Sequence, residues 1–174
     1  MTTLKGEHIY LRALEKEDLD FIHAIENDEE LWELSQTIVP YSRFLLEKYL
    51  EQSHRDIFEV KQLRLVICAN SNEAIGMIDL FDFDFKNKRA GVGILIKELF
   101  QRKKGYGREA LSLLMDYAKA KLNLHQLYCN ITEDNEASLN LFKNSGFEII
   151  GLKKDWTFSD GEYKNEYLLQ RLLT

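Results

Sequence analysis

One stretch narrows what this chain can fold into more than any other. Val92-Gly93-Ile94-Leu95-Ile96 is followed by Arg102-Lys103-Lys104-Gly105-Tyr106-Gly107-Arg108 and then by a long amphipathic run. The first piece is apolar and β-branched, as a strand requires. In the last piece Leu111, Leu114, Met115, Ala118 and Leu122 share one face at helical spacing, which predicts a helix over 108–122. Between them lies a short basic loop with glycines at 105 and 107. Glycine lets the backbone turn tightly, so several N–H groups converge at the helix N-terminus, where the helix dipole adds partial positive charge. Arg102, Lys103, Lys104 and Arg108 add whole charges, and a phosphate is the expected guest. A glycine-containing cap on a basic surface remains the alternative. The loop lacks the GxxxxGK[ST] of a nucleotide P-loop and the third glycine of a dinucleotide fold, so ATP and NAD are disfavoured.

The flanking sequence sets the order of elements. Alternation predicts a strand over 8–14, and Leu19, Ile22 and Ile25 predict a helix over 16–27. Residues 29–40 read as a short helix and a loop. Pro40 resists a helix, so Ser42 is expected to cap one over 43–55. The period then changes: 62–69, 74–83 and 89–96 predict three strands, with turns at Asn70-Ser71-Asn72 and Lys86-Asn87-Lys88. After the helix come a strand over 126–131, a helix over 135–144 stopped by Gly146, and strands over 147–153 and 162–172 joined at Ser159-Asp160-Gly161. The order β-α-α-βββ-α-β-α-ββ implies an α/β (α+β) architecture: a mixed, twisted sheet with helices on both faces. Only the β-α-β piece around residues 92–131 needs to be parallel. No linker, repeat or composition break divides the chain, so 1–174 is expected to be a single domain.

Composition acts by exclusion. With 45% hydrophobic residues, 10 Phe, 8 Tyr and 2 Trp in 174 residues, the chain can bury a core and disorder is excluded. Nine glycines and one proline exclude collagen-like and low-complexity classes. No apolar run approaches the ~18 residues of a membrane span. The opening MTTLKGEHIY lacks a signal-peptide core, so a cytoplasmic protein is expected, with no membrane partner. Cys68 and Cys129 sit in apolar segments and read as buried thiols; the four histidines are scattered, and no metal is expected. The net charge of −6 argues against a nucleic-acid partner. Charge is unevenly placed, however. Residues 16–34 hold eight acids against Lys16 alone, and residues 97–122 hold seven bases against three acids. The acidic zone suits a cationic ligand and the basic zone an anionic one, the alternative being solvated helix faces.

These residues carry a resemblance. Arg102-x-x-Gly105-x-Gly107 matches the [RQ]-x-x-G-x-[GA] loop with which the GNAT-type N-acetyltransferases hold acetyl-coenzyme A. Asn135-Glu136-Ala137-Ser138 and Leu141-Phe142-Lys143-Asn144-Ser145-Gly146-Phe147 match a second landmark, one helix and one strand downstream. The opening LRALEKEDL (11–19) is similar to the branch containing the spermidine N-acetyltransferases and the ribosomal-protein N-terminal acetyltransferases. Together the features cover nearly the whole chain in the right order.

The resemblance implies a set of roles. Ile94, Leu95 and Ile96 would pair with the pantetheine arm of acetyl-CoA. The amides of residues 102–108 (Arg102, Lys103, Lys104, Gly105, Tyr106, Gly107 and Arg108) would hold its pyrophosphate. Asn135 would contact the arm, with Ser138 and Lys143 nearby. Gly91 and Gly93 would allow a bulge or a close backbone approach where the ligand enters, plain strand twist being the alternative. The reaction is attack of a neutral primary amine on the thioester, so acids near the acceptor would draw in the cation and relay its proton. By likeness Asp82 is the expected catalytic carboxylate; Asp79, on the opposite face of the same strand, is a substrate-binding candidate, and Glu30 and Glu33 are candidates for holding a second amine. One departure stands out: many members carry a tyrosine where this chain has Phe142, and a phenyl ring donates no proton. Tyr106 and Tyr128 are the candidate substitutes, each more simply read as a packing or loop residue. The expected acceptor is a small cationic amine such as a polyamine. The alternatives are a protein N-terminus or lysine, and a CoA-binding sensor without turnover. A homo-oligomer is compatible with all three.

Overall fold

The structure, a computed structural model, describes residues 4–53, 55–98 and 104–174. The chain divides into two compact units: residues 1–12 with 61–174, and residues 13–60.

The first unit is built on a seven-stranded sheet of order β1-β2-β3-β4-β5-β7-β6. Its strands are β1 (Ile9–Ala13), β2 (Gln62–Ala69), β3 (Ala74–Asp84), β4 (Arg89–Ile96), β5 (Gln126–Thr132), β6 (Glu148–Ser159) and β7 (Glu162–Leu172). β2, β3 and β4 form the expected antiparallel meander, and β5–β7–β6 is antiparallel as well. β4 and β5 are parallel, and their described ladder has three rungs, Arg89–Gln126, Ala90–Leu127 and Gly91–Tyr128. The centre of the sheet is covered on both faces, so Val66, Ile67, Ile78, Leu80 and Leu127 are fully buried. β6 runs well past the expected end at 153, because a register shift between Lys153 and Thr157 lets the hairpin continue. β3 also bulges: Phe81 faces Gly91 and Asp84 faces Arg89, which leaves Asp82 and Phe83 opposite Ala90. Asp82 there takes a left-handed backbone, φ 49°.

Among the described residues two helices belong to this unit, α5 (Tyr106–Ala120) and α6 (Glu136–Asn144), numbered after four in the second unit. Ala110, Leu111, Leu114 and Ala118 form the buried stripe of α5, and burying each leucine contributes about 1.5–3 kcal/mol. α5 starts two residues before the periodicity signalled it, since Gly105 in the left-handed region (φ 83°) opens it directly. A Cβ on Gly107 would lie 3.3 Å from the Leu141 side chain and 3.8 Å from Ile94 Cδ1, so this glycine lets α5 sit close to α6 and β4. The end of α6 is the expected one: Gly146 is left-handed (φ 84°), Phe147 N–H donates to Phe142 O and Gly146 N–H to Lys143 O, a Schellman pair of bonds.

The second unit holds a single turn at Lys16–Asp18, then α1 (Leu19–Glu26), α2 (Glu29–Ser35), α3 (Arg43–Glu51) and α4 (Ile57–Val60). The expected helix over 16–27 is therefore a tight turn followed by a helix, and the one over 43–55 stops at Glu51. Ser42 caps α3 as expected, its hydroxyl accepting from Leu45 N–H at 3.2 Å. Ile22, Ile25, Leu31, Leu46 and Leu50 are buried. Asn27 clasps the loop before α3: its amide donates to Tyr41 O (3.0 Å) and accepts from Tyr41 N–H (2.8 Å). Much of the acidic zone has local work. Asp18 accepts from Glu15 N–H at 2.8 Å, Asp28 from Glu30 N–H at 3.1 Å, and Asp20 pairs with Arg43 at 2.6 Å.

Candidate active site

The site begins where the parallel ladder ends. Among the described residues no rung follows Gly91–Tyr128, so β4 and β5 part from that point. Beyond it β4 stays paired to β3 on its other edge (Ile78–Ile94, Met77–Leu95, Gly76–Ile96), and β5 stays paired to β7. Past that rung the two facing edges no longer pair with each other, among the described residues. Ile94, Leu95 and Ile96, all half-buried, line one prong. An extended chain with amide groups of its own fits such a fork as an added strand would.

The start of α5 follows β4 in sequence. The first N–H groups of a helix have no acceptor within it, and here they belong to Tyr106, Gly107 and Arg108. Among the described residues nothing lies within 4 Å of a Cβ built on Gly105. Lys104 and Arg108 are exposed beside these amides. Arg102 and Lys103, two of the expected loop cations, lie outside the described residues. Glu109, in the first turn of α5, is a negative charge close to a prospective anion site, and it is turned away and satisfied. Its Oε1 accepts from His8 N–H (2.9 Å) and Ile9 N–H (3.4 Å), and its Oε2 lies 3.2 Å from His8 Nδ1. Burial pushes this carboxyl up, but the hydrogen bonds from His8 and Ile9 outweigh it and hold the group below its ordinary value.

Asp79, Phe81 and Tyr128 lie on the other face of the sheet. α5 approaches Ile94, whereas the cross-strand sets Arg64–Asp79–Gly93 and Phe81–Gly91–Tyr128 share the opposite face by alternation. The Phe81 ring lies over Gly91, where an added Cβ would come within 2.3 Å of it. It meets the Tyr128 ring edge-on, centroids 6.3 Å apart. The close approach expected of Gly91 thus comes from an aromatic ring, and the bulge expected at Gly91 or Gly93 is on β3. Asp82 is exposed on that bulge, and its charge reaches Tyr128: burial first, then the Asp82 carboxylate, raises the phenol's pKa, with Arg89 opposing. Asp79 is held bidentately by Arg64 (Nε–Oδ1 2.9 Å, Nη2–Oδ2 2.8 Å), so its carboxylate already has a cation.

The remaining expectations divide. Asn135 is the N-cap of α6, its Oδ1 accepting from Ser138 N–H at 3.1 Å; Ser138 is half-buried and Lys143 exposed. Phe142 is buried (3% exposed) with its ring edge-on to Phe147, centroids 5.0 Å apart, so this position serves the core. Glu30 and Glu33 are exposed on α2 of the second unit, three residues apart and on one helix face.

Comparison with known proteins agrees with this geometry. Residues 8–148 match the family model described as the acetyltransferase (GNAT) domain. The spermidine N(1)-acetyltransferase of Escherichia coli K12 is 29% identical over 157 residues, covering 90% of this chain and 82% of that protein. The crystal structure of a spermidine N-acetyltransferase from Vibrio cholerae in complex with CoA and spermine superposes with a TM-score of 0.87 at 25% identity, covering 97% of each chain. A dodecameric structure of the Vibrio cholerae enzyme superposes at 0.79, also at 25% identity, covering 97% of this chain and 95% of that one. A fork between parallel strands, a glycine-opened helix beside it and a domain match over most of the sequence lead to one conclusion: the chain belongs to the GNAT family of N-acetyltransferases, enzymes whose co-substrate is acetyl-CoA.

Proposed function

We propose that this chain, as one domain over 1–174, moves the acetyl group of acetyl-CoA to a primary amine of a small polycation, with a polyamine as substrate, by direct attack in a ternary complex. The carrying observation is the parting of β4 and β5 after the Gly91–Tyr128 rung, beside a helix that Gly105 opens. Bound acetyl-CoA supplies an acetyl thioester; the residues do the rest. Ile94–Ile96 offer backbone groups to its arm. The amides of Tyr106, Gly107 and Arg108, with Lys104 and the loop cations Arg102 and Lys103, take its diphosphate, and Asn135, Ser138 and Lys143 border the arm from α6.

The acceptor arrives charged. An alkylamine with a pKa near ~10.4 is protonated at pH 7, and freeing its lone pair costs about 4–5 kcal/mol. Asp82 is the carboxylate that draws in the ammonium and takes its proton, directly or through water. Its support is exposure on the bulge and electrostatic contact with Tyr128, on the rung where the fork opens. Glu30, Glu33 and Asp79 are the further carboxylates for a second amine, Asp79 shared with Arg64. The relatives act on spermidine by name, and the acidic zone of residues 16–34 suits a cation. Cytoplasmic residence and a homo-oligomer belong to the same proposal. Two buried free thiols, Cys68 and Cys129, favour the first, and the dodecameric relative favours the second.

Thiol release from acetyl-CoA across an amine panel tests this. Turnover with spermidine or spermine supports it. Turnover only with peptide N-termini or lysines moves the enzyme to protein acetylation, and CoA binding without turnover makes it a sensor.

A further inference from the structure

We infer that Lys153 is a self-acetylation site, a lysine of the chain whose amine takes an acetyl group at the chain's own fork. The inference rests on the reading of the fork as the acetyl-CoA site, and not on the identity of the free acceptor. Beyond the Gly91–Tyr128 rung β5 continues as one prong, and by alternation Asn130 and Thr132 face the same side as Tyr128. Lys153 reaches that prong from β6 over the intervening strand β7: its Nζ donates to Asn130 Oδ1 at 2.9 Å. Register puts it there. Lys153 pairs with Glu166 of β7, and Glu166 pairs with Thr132 of β5. From Lys153 to Thr157 β6 spends four residues where β7 spends two, from Glu166 to Lys164. Asp155 in that bulge is left-handed (φ 49°), its N–H donating to Asn165 Oδ1 at 3.0 Å. The bulge also brings the Trp156 indole over the ammonium, 4.6 Å from Nζ to the ring centroid. The Lys153 side chain is left 28% exposed, while Lys154 next to it is exposed.

An ammonium is no nucleophile until it gives up a proton. Glu166 is placed to take it. Its side chain is 4% exposed, its Oε1 lies 2.5 Å from Lys153 Nζ, and its Oε2 accepts from the Thr157 hydroxyl at 3.5 Å. The step balances. Lys153 Nζ gives one proton to Glu166, and its lone pair forms the C–N bond to the acetyl carbonyl carbon. The C–S bond breaks, its electron pair goes to sulfur, and a second proton from Nζ ends on the thiol. The proton on Glu166 passes to water, so one proton is released per acetyl group transferred. The modified side chain is neutral, and Glu166 loses the cation against which it is buried.

Incubation with acetyl-CoA followed by peptide mass spectrometry tests the site, with Lys154 as the internal control. Lys153 is expected to be acetylated at least about tenfold faster than Lys154, with a rate constant unchanged on diluting the enzyme, as an intramolecular reaction requires. The N-hydroxysuccinimide ester of acetic acid, which needs no site, should reverse that order because Lys154 is the more exposed. A second readout needs no co-substrate. Protein carrying Nε-acetyllysine at position 153, installed by codon suppression, should melt roughly 5 °C or more below wild type, because a buried carboxylate has lost its partner. Labelling of Lys154 as fast as Lys153 by acetyl-CoA, or a rate constant that scales with enzyme concentration, overturns the site. An acetyllysine protein that melts with wild type overturns Glu166 as the proton acceptor. Failure of the reading beneath it looks different: a chain that binds no acetyl-CoA in calorimetry overturns the fork, and one that labels Lys153 but turns over no polyamine overturns the polyamine acceptor alone.

Discussion

Asp82 carries the heaviest assignment of any residue, and its backbone makes the clean test possible. It occupies the left-handed region at φ 49°, where asparagine is the side chain best tolerated after glycine. Asp82→Asn therefore keeps the bulge while removing the charge. We expect kcat for spermidine to fall at least about tenfold, with acetyl-CoA affinity within about twofold of wild type; unchanged kcat across pH 6–9, a window of roughly three units around the working range, removes Asp82 from the reaction. The two glycines on the same face make a contrast. A Cβ on Gly91 meets the Phe81 ring at 2.3–2.8 Å, whereas on Gly93 the nearest atom is Phe81 Cε1 at 3.8 Å. Gly91→Ala should lower stability by about 1–3 kcal/mol, as overpacking does, and Gly93→Ala should leave the melting temperature nearly unchanged. Equal melting temperatures for the two would mean that Phe81 does not seat on Gly91. The roles of Phe81 and of the Arg64–Asp79 pair were hidden in the sequence because both depend on register. A strand segment shows its alternation, but which residue stands opposite is set by its partner strand.

At the scale of elements, α5 is the piece that would present the proposed anion site, and two features hold it. Gly105 opens the helix in a conformation that costs an L-residue about 1–2 kcal/mol, yet no described residue crowds a Cβ there. Gly105→Glu should thus fold with a modest loss of thermal stability while placing a carboxylate in the path of the diphosphate; calorimetry should show CoA affinity reduced on the order of 100-fold, about 2.7 kcal/mol. Glu109 ties the first turn of α5 to the segment entering β1. Its pKa is depressed in the folded state, so its contribution is present above the unfolded value near ~4.3 and fades as pH falls through the lower folded one. Glu109→Gln should melt below wild type at pH 7, and the gap should close as pH drops below about 4. A gap that persists in acid would mean that the charge does no work there. The amphipathic helix and the glycine that opens it were legible in residues 105–122 because their signals are local. The α6 stop was legible for the same reason, in a single left-handed glycine. The bulge at Asp82 and the long β6 hairpin were not, since a bulge shows only against the opposing strand.

For the whole molecule, the element order was readable from hydrophobic periodicity, and the seven-stranded mixed sheet, with β4 and β5 parallel, follows it. Less readable was the division of contacts into two units, since no change in composition marks residues 13–60. The acidic zone shows why charge alone is a weak guide. Asp18 and Asp28 cap local turns and Asp20 pairs with Arg43, so part of the excess serves the unit's own helices. The account finally depends on whether the strand fork and the start of α5 receive the donor together. Hydrogen exchange read amide by amide, with and without CoA, measures this directly. The account predicts slowed exchange at residues 94–96 and 106–108 on adding CoA; binding that leaves both segments exchanging at their free rates would contradict it.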